Sequence, residues 1–379
     1  MADKFRIVHV IPSLARGGAE RLVIDICRVL HKRKDIEYRL VVLNELNQYK
    51  ELTEGLNIVF CKVGLETFRL ESKRNDLSAW KEFLETFQPQ IIHSHIFFAD
   101  LVSRAFIQPE VKYFSHLHGR TTQYEKPDFF LILRNPQKYF QLIAQRRYMV
   151  SKYQKSKTSF LAVSDFYKNY LVKNLGFEKN VGVFPNAIDF DRFFCSEKKN
   201  LNSSLKLISA GRLVEHKNHK FLLEVCQVLK ERGTESQLEI MGEGHLSEEL
   251  SRQILKRNLE GCVFLRGVVE KPEEKYSESH ICVHSATDES FGLVFLEAMA
   301  AGLPVITLDG KGNRDLIVEG KNGFMLFEQD AEKFADKLVE VWENKTLYRE
   351  MSAYAQEFAK GYDIKEYVDR LMGIYQQAV

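Results

Sequence analysis

The stretch TDESFGLVFLEAMAAGLPVI, residues 287–306, decides the fold. It follows the apolar run Ile281–His284, which reads as a strand. Ser290 is the expected N-cap of the helix after it, and Gly292 lets the backbone come close to a ligand. Ala298, Ala300 and Ala301 let that helix lie tightly on a sheet. Gly302 ends the helix, and Pro304 opens the next strand, Val305–Leu308. The amide groups of Phe291, Gly292 and Leu293 then become helix-start donors suited to a phosphate.

Outward from this segment the same alternation continues. Phe5–Ile11, Tyr38–Leu43, Ile58–Val63, Ile91–His95, Lys112–His116, Phe160–Val163 and Val181–Phe184 read as strands, with helices over Ala19–Leu30 and Leu77–Phe87. Residues 186–204 are polar and irregular and read as a linker. Beyond it, Leu205–Ala210, Leu238–Met241 and Val263–Arg266 are further strands, Asn218–Arg232 is a helix, and Asp330–Gln377 holds two or three helices. Two such runs imply two parallel sheets, each covered by helices on both faces. Ligands of such sheets bind beyond the carboxyl ends of the strands, so a cleft between two domains is the expected site.

Composition agrees. The 379 residues are 45% apolar and 28% charged, which excludes a disordered, collagenous or coiled-coil chain. No apolar run reaches the roughly 18 residues of a membrane span. The opening residues run straight into a strand pattern, so no signal peptide is expected. Six scattered cysteines without a CxxC pair read as reduced thiols of a cytoplasmic protein. The net charge of +2 divides into +10 over residues 1–200 and −8 over residues 201–379. Residues 129–164 contain no carboxylate but hold Arg134, Lys138, Arg146, Arg147, Lys152, Lys155 and Lys157. Such a patch favours an anionic partner.

Several constellations bear on chemistry. Glu297 lies eight positions after Glu289, inside the helix, within the reach from a pyrophosphate to the ribose of one nucleotide. The competing reading is a core carboxylate paired with a basic residue. Arg212 and Lys217 lie in the loop leaving Leu205–Ala210, where they would meet a phosphate or else form a solvated basic loop. Gly17 and Gly18 make a glycine turn at a helix start but not a GxGxxG fingerprint. His93 and His95 end one strand and His116 and His118 the next. Two H-x-H pairs raise the question of a metal, but no clustered Asp or Cys completes a ligand set. The expectation is no metal, with His118 facing the cleft. Asp189-Phe-Asp191 reads as turn and capping chemistry.

Taken together, these residues resemble the retaining glycosyltransferases of family 4, the glycosyl transferases group 1. The fold class implied is α/β, GT-B: two Rossmann-like domains with parallel sheets facing an interdomain cleft. The resemblance spans nearly the whole chain. It rests first on Glu289-Ser-Phe-Gly-x4-Glu297 and next on Gly211-Arg-Leu-x3-Lys217-Asn, Gly17-Gly-Ala-Glu20, His118-Gly119 and Pro185-Asn-Ala-Ile-Asp189. It implies an acceptor domain over 1–185, the linker 186–204, a nucleotide-sugar domain over 205–361, and a C-terminal helix over 362–379 placed to pack back on the first domain. The donor, a UDP-sugar in preference to a GDP-sugar, would bind the second domain. Glu297 would hold the ribose, and Arg212 and Lys217 would neutralise the pyrophosphate. Glu289 and the backbone of Phe291, Gly292 and Leu293 would hold sugar and phosphate. Gly242 and Val268 would lie near the base, and Gly17, Gly18 and His118 would face the sugar. The catalytic group would comprise His118, Glu289, Arg212 and Lys217, with no cofactor and no metal. Asn313-Arg-Asp315 departs from the family pattern, which puts a donor contact from Asp315 in doubt.

The hard step is breaking an anomeric bond to a diphosphate, and fixed cations with helix-start amides suit it. A retaining glycosidase would need two carboxylates about 5–5.5 Å apart. The expected partner on the first domain is a glycan or lipid-linked acceptor. The basic stretch 129–164, interleaved with Phe129, Phe130, Tyr139 and Phe140, then reads as a peripheral contact with anionic lipid on the inner membrane face, or as a helix burying those apolar groups. No nucleic-acid module accompanies it. The rival functions are another GT-B reaction, such as sugar-nucleotide epimerisation, and a nucleotide-sugar-binding subunit without turnover.

Overall fold

The computed structural model describes residues 4–66 and 72–379. They form two compact units, one of Met1–Asn186 with Ile364–Val379 and one of Ala187–Asp363.

The sheet of the first unit has seven parallel strands: β1 (Phe5–Ile11), β2 (Ile36–Val42), β3 (Ile58–Phe60), β4 (Ile91–His95), β5 (Lys112–Leu117), β6 (Ser159–Ala162) and β7 (Val181–Val183). Their order is β3-β2-β1-β4-β5-β6-β7. The central strands are apolar on both faces because helices cover both; Ile7, Val8, Val10 and Ile11 are all inaccessible. The register sets His9 beside His93 and His95 beside His116, so histidines of three strands meet at one level. The helix Gly18–Leu30 turns Leu22, Val23, Ile26 and Leu30 inward. The last helix, Ile364–Ala378, packs on it and is tied by Arg33 to Asp369 at 2.8 Å. Under the sheet, buried Arg104 pairs with Asp100, and Ser115, Tyr124 and Tyr153 donate to the same carboxylate. A buried ion pair needs such extra partners to offset its lost hydration.

The second unit carries six parallel strands: β8 (Leu205–Ala210), β9 (Ser236–Met241), β10 (Val263–Gly267), β11 (Ile281–His284), β12 (Val305–Leu308) and β13 (Gly323–Leu326). Their order is β10-β9-β8-β11-β12-β13. The short edge strand β13 is not among the strands read from sequence; four residues after Asn322 give too little periodicity. From Ala187 onward the stretch read as a linker belongs to this unit. Its short helix Phe190–Phe193 buries both phenylalanines, and Arg192 meets Glu273 at 2.8 Å. Asp189 precedes that helix without a side-chain cap, so the turn forms but the expected capping by this carboxylate does not. The helices Ala331–Glu343 and Lys345–Lys360 complete the unit.

The basic stretch of the first unit forms helices Leu131–Arg134 and Pro136–Lys155. The longer one buries only Met149 and Tyr153. Phe129, Phe130, Leu133 and Phe140 remain 68, 64, 77 and 59% exposed, so no helix buries these four. Arg146 is spent on the carbonyls of Tyr124 and Asn174 and does not belong to the free basic face. Among the described residues no helix is long and apolar enough to cross a membrane.

Candidate functional site

At the carboxyl end of the second sheet the chain brings together the two segments that carry the charged residues. The loop after β8 ends in a single turn, Glu215–Lys217, and Asn218 takes a left-handed φ of 52° to start the helix His219–Glu231. The Ser285 hydroxyl, just past β11, donates to the carbonyls of Lys217 and Asn218. The Thr287 amide bonds the His216 carbonyl. Lys217 is thereby anchored to the segment that holds Glu289.

Glu289 is buried. Its Oε2 accepts from Lys217 Nζ at 2.5 Å and lies 2.8 Å from His284 Nε2, while Oε1 accepts from the Ser290 amide. Burial by itself raises this carboxyl's pKa. The Lys217 charge and the His284 hydrogen bond outweigh it and hold the group well below the usual carboxylate range. Burial lowers the pKa of His284, against the pull of Glu289. The backbone of Glu289 is clamped as well: its amide bonds Gly310, and its carbonyl accepts from Gly312. A Cβ on Gly312 would lie 2.2 Å from the Ser290 oxygen, so this loop must be glycine to pass so close. Asn313 holds the loop through Gly310 and Leu308.

The helix begins later than its sequence signals indicate. It runs Leu293–Ala300, with Gly292 as N-cap at φ 101°, and Ser290 does not cap it. A left-handed N-cap is a conformation open to glycine. Phe291 is buried against the Tyr362 ring and precedes the helix. No acceptor among the described residues takes the amides of Phe291, Gly292, Leu293 or Val294. One turn along, Glu297 accepts from the hydroxyl of buried Tyr276 at 3.2 Å.

Arg212 is exposed, and its side chain has no hydrogen bond or ion pair among the described residues. Beneath it Gly242, at φ 134°, crosses the Gly211 carbonyl so closely that a Cβ would sit 2.0 Å from that oxygen. Val268 is half-buried in the loop after β10. Asp315 lies in a single turn after Asn313, and Arg314 beside it pairs with Asp309 at 2.6 Å.

The first unit holds the other predicted residues. Gly17 caps the helix Gly18–Leu30, and its amide bonds the Tyr49 hydroxyl at 3.2 Å. His118, half-buried, lies with its Nε2 2.9 Å from His95 Nδ1. His95 Nε2 in turn lies 3.0 Å from His9 Nδ1, and His93 Nδ1 is 2.5 Å from the Tyr375 hydroxyl. Burial pushes His9 and His118 down to about 3 and the other three rings well below their usual value. The two H-x-H pairs thus form one cluster with His9.

Sequence reasoning missed His284, Ser285, Gly310, Gly312 and His9 as members of these sites. The strand-end position of His284 and the glycine pair after β12 were the available signals. Nothing in the sequence reveals that His9, more than 80 positions away, meets His95.

Residues 191–358 match the family described as glycosyl transferases group 1, and residues 16–192 match glycosyltransferase family 4. EpsF of Bacillus subtilis, which carries the provisional name of a glycosyltransferase, is 26% identical over 98% of this chain and 96% of its own. The poly(glycerol-phosphate) alpha-glucosyltransferase of Bacillus subtilis is 26% identical over 165 residues, 43% of this chain. That match spans only 24% of the length of the glucosyltransferase. Among solved structures, Anabaena Alr3699/HepE, crystallised with UDP and glucose, superposes with a TM-score of 0.78 at 18% identity, covering 98% of this chain and 100% of its own. The shared architecture is the GT-B fold.

Proposed function

The chain belongs to glycosyltransferase family 4, and from that premise we propose that it moves a sugar, with retention, from a UDP-sugar to a hydroxyl of a glycan or lipid-linked glycan in cell-surface polysaccharide synthesis. The observation that carries the reading is the Lys217–Glu289 pair beside a helix start whose amides have no acceptor. An ammonium has three donors, and Glu289 takes one. The others are available to the departing diphosphate. Arg212, whose side chain has no partner among the described residues, adds a planar fork matched to phosphate oxygens. As the anomeric bond breaks, negative charge gathers on that phosphate, and these cations with the amides of Gly292, Leu293 and Val294 stabilise it. The acceptor attacks from the face the phosphate leaves, and the phosphate takes its proton. No divalent ion enters this step.

Glu289 has about four acceptor positions and uses three on Lys217, His284 and Ser290. Its main task is to position Lys217, with one lone pair left for a sugar hydroxyl. Glu297 holds the ribose, and Tyr276 fixes its carboxylate. The UDP and glucose of the Anabaena protein support a uridine donor. The poly(glycerol-phosphate) alpha-glucosyltransferase supports a hydroxyl-bearing polymer as the class of acceptor.

We assign the acceptor to the first unit. The exposed Phe129, Phe130, Leu133 and Phe140, set among Arg134, Lys138 and Arg147, fit an anionic lipid surface on the cytoplasmic face of a membrane. Salt-sensitive flotation with anionic vesicles tests this contact, and its absence removes it. The donor reading is tested by thermal shift with UDP-, GDP- and ADP-sugars in chelator. Stabilisation by the UDP-sugar alone is expected. No shift with any of them overturns the reading.

A further inference from the structure

We propose that His95, His116 and His118 form a three-histidine site for a transition-metal ion of the Zn2+ class, which shares with the nucleotide-sugar reading only His118. One ligand nitrogen from each of the three rings lies within 4.8 Å of the others. His95 Nδ1 and His118 Nε2 are 2.9 Å apart. Two nitrogens on one tetrahedral zinc, at about 2.0–2.1 Å from it, stand about 3.3–3.4 Å apart. An opening of about 0.4 Å therefore converts the hydrogen bond into a pair of ligands.

The third ligand is the buried ring of His116, neither nitrogen of which makes a well-aligned hydrogen bond among the described residues. A buried polar atom without a partner is costly, and a ligand bond relieves that cost. His116 stacks on His118 at 4.3 Å between centroids.

The surroundings complete the set. With Nδ1 on the ion, the His95 Nε2–H donates to His9 Nδ1 at 3.0 Å, the outer hydrogen bond that orients a metal-bound histidine. A second triad, His9, His93 and His95, meets the same spacing. There His93 Nδ1 is engaged by Tyr375, and all three rings are wholly buried. His118 is the one partly exposed ring of the two triads, which favours the triad that includes it; water would take the fourth position.

The test uses the full chain stripped with EDTA and titrated with Co2+, then Zn2+. One Co2+ per chain is expected, with the strong visible absorption of four-coordinate Co2+, lost on adding one equivalent of Zn2+. His116→Ala and His118→Ala should each weaken Co2+ binding about tenfold or more. His245→Ala, an exposed histidine, should leave it unchanged. Circular dichroism checks folding; if His116→Ala misfolds, His118→Ala decides. No saturable signal in the wild type, or a signal that survives the triad variants, overturns the proposal. Loss only in His93→Ala overturns the assignment in favour of the second triad. The readout is metal binding, so its failure is distinct from any failure of sugar transfer.

Discussion

The strands β4 and β11 hold the same place in their sheets, next to β1 and β8, and each ends in histidine. At the end of β11, His284 meets a carboxylate that also meets a lysine, and both oxygens of Glu289 are partnered. At the end of β4, the His95 ring nitrogens meet other imidazoles, and five ring nitrogens of the cluster lack a well-aligned hydrogen bond among the described residues. One topology thus presents two electrostatic surfaces. The second unit keeps fixed charge at its strand ends, held by opposite charge. The first keeps neutral polar rings, which favour an uncharged sugar or a metal ion over a diphosphate. The loops beyond the strands decide which, as expected when function sits on a shared fold.

The contrast breaks first at Lys217. Lys217→Ala should lower turnover about a hundredfold or more. It also leaves the buried Glu289 without its cationic partner, which destabilises the protein by about 3 kcal/mol. Arg212→Ala should cost turnover without stability, because that side chain is exposed and bonds nothing among the described residues. Kinetics and thermal melts of both variants check the pair. Equal loss of stability would remove the positional role given to Glu289.

Glu297→Ala should weaken UDP affinity about tenfold, one lost pair of charged hydrogen bonds at about 1.4 kcal/mol. Tyr276→Phe should weaken it only a few-fold, since the carboxylate stays and loses a single orienting donor. Calorimetric titration with UDP separates the two. Unchanged affinity in Glu297→Ala contradicts the ribose assignment.

The smallest effect is a pH slope. His9 and His118 fall from 6.5 to about 3 on folding. Between those values the unfolded chain binds protons that the buried rings refuse, so stability falls as pH drops. Glu289 works at lower pH: its contribution is intact above about 4.5 and is lost as pH falls further. From pH 7 to pH 5 the melting temperature should therefore decline through histidines. His9→Gln should flatten the decline, and an unchanged slope would place that acid sensitivity outside the cluster.

Much of this was legible in sequence because parallel strands buried on both faces read as short apolar runs. Phe5–Ile11, Ile91–His95 and Leu205–Ala210 are examples, and Ile91–His95, Leu205–Ala210, Ile281–His284 and Val305–Leu308 end where their patterns end. The charged residues of the second unit were legible because loops beyond strand ends are the usual place for ligands. The helix start was misplaced because Ser290 has the chemistry of a cap while Gly292 has the required backbone, and φ at 292 is invisible in one sequence. The histidine cluster was missed as a unit because register, not spacing, brings His9 and His116 to His95. The glycines at 310 and 312 have no meaning until Glu289 is known to lie against them.

The central claim is that the strand-end charges of the second unit receive the donor's diphosphate. A crystal structure with UDP-glucose tests it most directly. The account predicts phosphate oxygens within hydrogen-bond distance of Arg212, Lys217 and the amides at 292–294, with the ribose on Glu297. A nucleotide bound elsewhere, with these groups untouched, would contradict it.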